Sequence, residues 1–287
     1  MFTRYDLARP PDAATRQHVG AGQQYDLGVA DLTSSDGVRL CYEVEGEGPG
    51  LVLHLGAGCD ADLWRAAGYA GPLAQDFSCV LFDHRGHGQS DHPLGPDANH
   101  VDRYADDLAR LVEHLGRPDV SYFGWSSGVV VGLRAAQKYP GLFRSLVLSG
   151  PIAPAVPAEQ LKAAVRPRLE QLQTRGWWFL LDGMLPAEKD PVPQWMIDRI
   201  LATDIEPYIG WSQARLSWDW SPWDALPHID VPTLMIVGEL EDPDDLMAEA
   251  AAAMPDATRI RIPGREHIKA FLASELVLPH VREFLLR

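Results

Sequence analysis

Hydrophobic positions along the chain fall into two kinds of segment that alternate. Short apolar runs rich in Val, Leu and Phe recur over residues 51–55, 79–82, 120–123, 145–148 and 233–237, and residues 258–262 read as a further strand. Between or after them, residues 63–75, 101–115, 127–138, 244–254 and 279–286 read as helices. Strands written as unbroken apolar runs are those buried on both faces. Their alternation with helices predicts a mostly parallel sheet covered on both sides. Upstream, residues 26–32 and 39–45 flank Ser34-Ser35-Asp36-Gly37 and predict an antiparallel hairpin.

Two segments depart from this rhythm. Residues 1–25 are polar, with Pro10-Pro11 and Gly20-Ala21-Gly22, and are expected to form a partly ordered N-terminal arm. After Gly150-Pro151, residues 151–225 read as helical and hold seven tryptophans, at 177, 178, 195, 211, 218, 220 and 223. The strand pattern resumes near Val231. The expected organisation is an arm (1–25), a first part of the core (26–150), a helical insertion on the sheet (151–225) and a second part of the core (226–287).

A length of 287 residues is enough for one full core carrying an insertion. With 46% hydrophobic and 23% charged residues, the composition is that of an ordinary soluble globular protein. The net charge of −15 argues against nucleic acid and against anionic membranes as partners. No run approaches bilayer-spanning length, and Met1–Pro10 lacks the apolar core of a secretory signal, so a cytoplasmic location is expected. Three cysteines, Cys41, Cys59 and Cys79, suggest reduced thiols rather than a disulfide framework. Asp83-His84-Arg85-Gly86-His87 matches no zinc spacing, and Arg85 would repel a cation. A turn held by side-chain hydrogen bonds is expected there, with Asp83, Arg85 and Ser90 holding it together.

Gly124-Trp125-Ser126-Ser127-Gly128 carries the candidate chemistry. It is G-x-S-x-G between a strand and a helix, the context in which a strained turn presents a serine hydroxyl above a sheet. A serine hydroxyl needs a base, and the base an orienting acid, expected in the order serine, acid, histidine. Gly238-Glu239-Leu240-Glu241-Asp242-Pro243 follows the penultimate strand, and Gly264-Arg265-Glu266-His267 follows the last. Both loops lie at the carboxyl ends of strands, where open parallel sheets bind ligands. A competing pattern is Gly56-Ala57-Gly58-Cys59-Asp60-Ala61 after strand 51–55, which fits a dinucleotide fingerprint with Asp83 ending the next strand. The bulky Leu63-Trp64-Arg65 beyond it suits a phosphate-cradling helix poorly, and that reading leaves Ser126 without a role.

From about residue 26 onward the chain resembles the α/β-hydrolase superfamily. The resemblance rests on Gly124–Gly128, on Asp83-His84-Arg85-Gly86-His87-Gly88-Gln89-Ser90, similar to D-x-R-G-x-G-x-S, and on Gly264–His267, similar to G-x-G-H. It implies an α/β-hydrolase fold in which the helical insertion is a cap that roofs the pocket and selects substrates. It also implies Ser126 as nucleophile and His267 as base. Backbone N–H groups of Ala57 and Ser127 are implied as oxyanion donors, with Leu55 standing where such enzymes usually carry histidine. For the acid, the family register lands on Glu241, while Asp242 has the commoner residue type and is slightly favoured. Trp125, beside the nucleophile, is a candidate substrate-binding residue or a packing residue.

The function expected is hydrolysis of a small, largely apolar ester or lactone through an acyl-enzyme, with no metal or organic cofactor. In the superfamily the chain resembles, the same triad also serves carbon–carbon bond hydrolysis, haloperoxidase-like perhydrolysis and acyl transfer, which the resemblance leaves as alternatives. A hydrolase-fold binder with little turnover and a Rossmann-type enzyme are the remaining readings. The expected partner is a small-molecule substrate, with a homodimer left open.

Overall fold

A computed structural model of the chain describes residues 29–117, 119–153, 158–184, 191–242 and 245–287; the expected arm lies outside them. The hairpin is formed by β1 (Ala30–Thr33) and β2 (Arg39–Glu45). It continues into β3 (Gly50–His54), β4 (Ser78–Asp83), β5 (Ser121–Trp125), β6 (Leu146–Ser149), β7 (Thr233–Gly238) and β8 (Ala257–Ile262). These eight strands make one sheet in the order β1-β2-β4-β3-β5-β6-β7-β8. β1, β2 and β4 pair antiparallel, and every later pairing is parallel. All residues of β3 to β7 are buried, which is why their sequences show no polar face.

Successive side chains on these strands enter two separate cores. Leu51, Leu53 and Phe123 join Trp64, Tyr69, Phe271 and Val277 on one face. Val52, Val80 and Tyr122 join Leu108, Leu111, Leu133 and Met247 on the other. The first face is covered by α1 (Leu63–Ala66), α2 (Ala70–Leu73), α11 (His267–Leu272) and α12 (Ser274–Leu285). The second is covered by α3 (Val101–Leu115), α4 (Ser127–Lys138) and α10 (Leu246–Ala252). The single helix expected over 63–75 is two one-turn pieces with Gly68 between them. The helix expected over 279–286 starts earlier, and α11 precedes it.

Between β6 and β7 lie α5 (Ala158–Arg175), α6 (Trp178–Met184), α7 (Gln194–Ala202), α8 (Glu206–Ala214) and α9 (Pro222–Ala225). α7 is tied to the loop after β3: Arg199 pairs with Asp60 and, at 2.8 Å, with Asp62. Just beyond α7, the Thr203 hydroxyl donates to the Gly58 carbonyl at 3.1 Å. These contacts set the helical layer across the carboxyl ends of the central strands.

The loop after β4 is held by its own side chains. The Asp83 carboxylate accepts from the Ala61 and Gln89 amides at 2.7 and 2.8 Å, and the Ser90 hydroxyl donates to the Asp83 carbonyl. Arg85, 1% exposed, donates to both oxygens of Asp107 at 2.6 and 2.7 Å and to Asp36 at 2.9 Å. Cys41, Cys59 and Cys79 are all buried and free.

Candidate active site

Ser126 joins β5 to α4 with φ 59° and ψ −119°, and Asp245 is the other described non-glycine residue with positive φ. L-residues avoid this region, so the turn holds backbone strain on the order of 1–3 kcal/mol. The flanking glycines let strand and helix close on each other. A Cβ on Gly124 would stand 2.6 Å from the Gly128 carbonyl oxygen, and one on Gly128 2.8 Å from that of His54.

Two further loops converge on the serine. His267 opens α11, and its Nε2 lies 2.9 Å from Ser126 Oγ. Its Nδ1 lies 2.7 Å from Glu241 Oε2. The other Glu241 oxygen accepts from the Gly238 amide at 2.7 Å, so the carboxylate is fixed from both ends. With Glu241 ionised, Nδ1 carries the hydrogen and Nε2 accepts from the serine hydroxyl.

The slight preference for Asp242 is therefore corrected. The Asp242 carboxylate, 4% exposed, accepts from the Leu246 and Met247 amides at 2.8 and 3.1 Å. It satisfies orphan donors in the first turn of α10 and does not meet the imidazole. The carboxylate that meets the imidazole is the one on the family register, Glu241. Trp125 as a substrate-binding residue is corrected too. It is 3% exposed and stacks on the His267 ring at 5.0 Å, with Phe271 stacked on its own ring at 4.3 Å. It backs the histidine instead of lining the cavity.

On the other side of the serine, Gly56 approaches so closely that a Cβ there would overlap Ser126 Cβ and lie 2.9 Å from Oγ. Ala57 follows it and lines the same cavity as Ser126 and Ser127. The Ser127 amide is among the first of α4, whose N–H groups have no intrahelical acceptor. The next amide along the loop, that of Gly58, donates to His87 Nε2 at 3.1 Å. His87 Nδ1 faces the Arg85 carbonyl at 3.2 Å, so His87 is the neutral Nδ1–H tautomer. His54, His84 and His87 sit together behind Ala57 and Ser127. Burial holds His87 down to about 4, His54 to about 3 and His84 well below the usual imidazole range, with smaller repulsions from His92 at His87, from His87 at His54 and from both His87 and His54 at His84.

This packing leaves the dinucleotide fingerprint without a cradle. Trp177 and Ile200 fill the space in front of Gly58, at 3.2 and 3.3 Å from a built Cβ. The helix that follows is one turn long, and Asp83 is committed to backbone amides.

Ser126, His267 and Glu241 open onto a cavity of about 750 Å³. Four of the seven tryptophans in the helical layer, Trp211, Trp218, Trp220 and Trp223, line it. Trp177 stacks on Tyr208, and Trp178 and Trp195 are exposed. Arg168, Arg215 and Asp219 also line the cavity, and sequence reasoning missed them. On a helical segment with no fixed register, an arginine reads as solvent-facing, so no signal marked them. Among the described residues no cluster of three or more His, Cys, Asp or Glu is arranged to hold a metal, and no helix is long and apolar enough to cross a membrane.

The alpha/beta hydrolase fold family model matches residues 49–175. An uncharacterized hydrolase of Bacillus subtilis is 32% identical over 116 residues, 40% of this chain and 42% of that protein. The chain thus spans less than half the length of this relative. The 3-oxoadipate enol-lactonase 2 of Acinetobacter baylyi is 25% identical, with 76% of this chain and 81% of that protein covered. Among solved structures, a thermophilic esterase from Thermogutta terrifontis superposes with a TM-score of 0.77 at 26% identity, covering 90% of this chain and 98% of the esterase. Sheet order, the strained serine turn and these likenesses agree: the chain has the α/β-hydrolase fold.

Proposed function

We propose that the protein is a serine hydrolase of small carboxylic esters or lactones. One observation carries the reading: Ser126 Oγ, the His267 imidazole and the Glu241 carboxylate are joined by hydrogen bonds of 2.9 and 2.7 Å at the floor of a cavity. Ser126 Oγ attacks the carbonyl carbon while His267 Nε2 takes its proton. Glu241 accepts from Nδ1–H and stabilises the imidazolium that forms. The Ala57 and Ser127 amides receive the developing oxyanion; one such donor is typically worth ~10²–10³ in rate. His267 returns its proton to the leaving oxygen, the C–O bond breaks, and an acyl-enzyme on Ser126 remains. His267 then deprotonates a water, which attacks the ester, and the carboxylic acid leaves with Ser126 restored. The helices between β6 and β7 act as the cap that admits substrate. The esterase and enol-lactonase relatives support this choice of bond.

The test compares wild type, Ser126→Ala and His267→Ala on a short-chain nitrophenyl ester and a panel of lactones. Both variants are expected to lose at least about 10³-fold in kcat. Equal turnover by wild type and Ser126→Ala would overturn the mechanism.

A further inference from the structure

Two cations in the cavity have no counter-ion among the described residues. Arg215 follows directly on α8, and Arg168 lies on α5; both line the cavity that holds Ser126. Among the described residues no carboxylate comes within ion-pair distance of either guanidinium. Arg168 lies against the Phe179 ring at 5.5 Å, and Arg215 over the Trp218 ring at 5.7 Å. Among the described residues the buried Nε of Arg215 has no acceptor, and neither has the buried Nε1 of Trp218, another lining residue. Burial, with the repulsion of Arg168, pulls the Arg215 pKa below the usual guanidinium value.

This is an unusual expense in a protein with 40 acidic residues. Buried charges are normally paired, because an unpaired ion loses its hydration with nothing in return. The acidic residues that share the cavity are otherwise engaged or distant: Asp224 accepts from the Ser221 amide at 3.2 Å, and Glu241 holds His267. Asp219 is exposed. The orphan groups are all donors, so what completes them is an acceptor, and two guanidinium groups call for a negative one. A guanidinium matches a carboxylate with two parallel N–H···O bonds. The aromatic walls formed by Trp211, Trp218, Trp220 and Trp223 suit a flat apolar body attached to it.

We infer that the cavity selects esters or lactones that carry a free carboxylate, bound by Arg215 with support from Arg168. The inference rests on the ester or lactone hydrolase reading and replaces its largely apolar substrate with an anionic one. The structure joins a neutral reacting bond at Ser126 to a charged handle held by the helical layer. Arg215 is thereby a specificity-determining residue.

The experiment uses two nitrophenyl esters of equal chain length, the hemiester of glutaric acid and the pentanoate, and reads the ratio of their kcat/KM. Wild type is expected to favour the hemiester at least tenfold. Arg215→Met is expected to cut that ratio at least tenfold, Arg168→Met by less, and Arg215→Lys to retain part of it. Arg110→Met, which removes the same charge from an exposed pair with Glu113 on α3, leaves the ratio unchanged. Binding of glutarate monomethyl ester to Ser126→Ala, followed by calorimetry, reads the same preference without turnover. A wild-type ratio near one, with the pentanoate well hydrolysed, overturns the inference and spares the hydrolase reading. Failure of both esters alongside tight, Arg215-dependent glutarate monoester binding overturns the hydrolase reading and keeps the anion site. Equal loss of preference in Arg110→Met and Arg215→Met reduces the effect to net charge and overturns the site.

Discussion

Glu241 and His267 are held 2.7 Å apart, while the neighbouring carboxylate of Asp242 turns away to the first amides of α10. Adjacent acids thus have different tasks, and substitution separates them. Glu241→Gln keeps the size but leaves the imidazole without its anionic partner; kcat on a nitrophenyl ester is expected to fall by about 10³–10⁴-fold with folding stability little changed. Asp242→Asn is expected to hold kcat within several-fold and to lose at least about 1 kcal/mol of unfolding free energy, since the Leu246 and Met247 amides bond to different oxygens of the carboxylate and the one amide oxygen of Asn can accept from only one of them. The reverse ranking in kcat would return the acid's role to Asp242.

The strain at Ser126 has its own measurable signature. With φ at 59°, any residue with a Cβ is penalised there, and glycine is not. Ser126→Gly is expected to exceed Ser126→Ala in unfolding free energy by about 1 kcal/mol, although Gly elsewhere in a chain is the less stabilising of the two. Urea denaturation of the two inactive variants makes the comparison. If Ser126→Ala is the more stable, the turn is relaxed.

Most of the sheet was legible because β3 to β7 are buried on both faces and so read as plain apolar runs. α3 and α4 fall at their expected limits, 101–115 and 127–138, because each is long and amphipathic enough to have its own signal. α1, α2 and α11 were mis-sized or missed: helices of four to six residues owe their existence to the strands they pack on, not to local propensity. Ser126 and His267 were readable because their loops are tied to strand ends. The choice between Glu241 and Asp242 was not, since it turns on which carboxylate the first turn of α10 captures. Arg168 and Arg215 were invisible for a related reason. Nothing local says which face of a helix laid over a sheet will look down into a cavity.

Trp125 gives a case where positioning and contact can be told apart. Its ring stacks between His267 and Phe271, with interplanar angles of 18° and 25°. Trp125→Leu removes that support without opening the cavity wall. The expected outcome is a kcat lowered about tenfold or more with KM nearly unchanged, because the imidazole samples orientations away from Ser126 Oγ. Trp125→Phe, which keeps a ring to stack, is expected to recover most of the rate. A rise in KM with kcat intact would instead make Trp125 a substrate contact.

Three buried imidazoles tie stability to pH. His54 and His84 have ring centroids 4.7 Å apart, and His84 and His87 3.9 Å. All three are neutral when folded, whereas in the unfolded chain each takes up a proton as pH drops through about 6.5. Over the interval from about 6.5 down to about 4, the folded pKa of His87, the unfolded state therefore binds more protons than the folded one. Stability is fully present above pH 6.5 and is lost as pH falls through that window, at about 1.4 kcal/mol per pH unit for each proton taken up. His87→Gln isolates one of the three. Its amide oxygen can still accept from Gly58 and its nitrogen can donate to the Arg85 carbonyl, but it does not titrate. Unfolding free energies at pH 7.5 and pH 5.0 are expected to differ by about 2 kcal/mol less in His87→Gln than in wild type, whatever the absolute cost of the substitution. Carboxylates titrating in the same range cancel in that comparison, so an unchanged pH dependence would mean that His87 charges freely in the folded protein and that the Gly58 amide is not bound to a neutral ring.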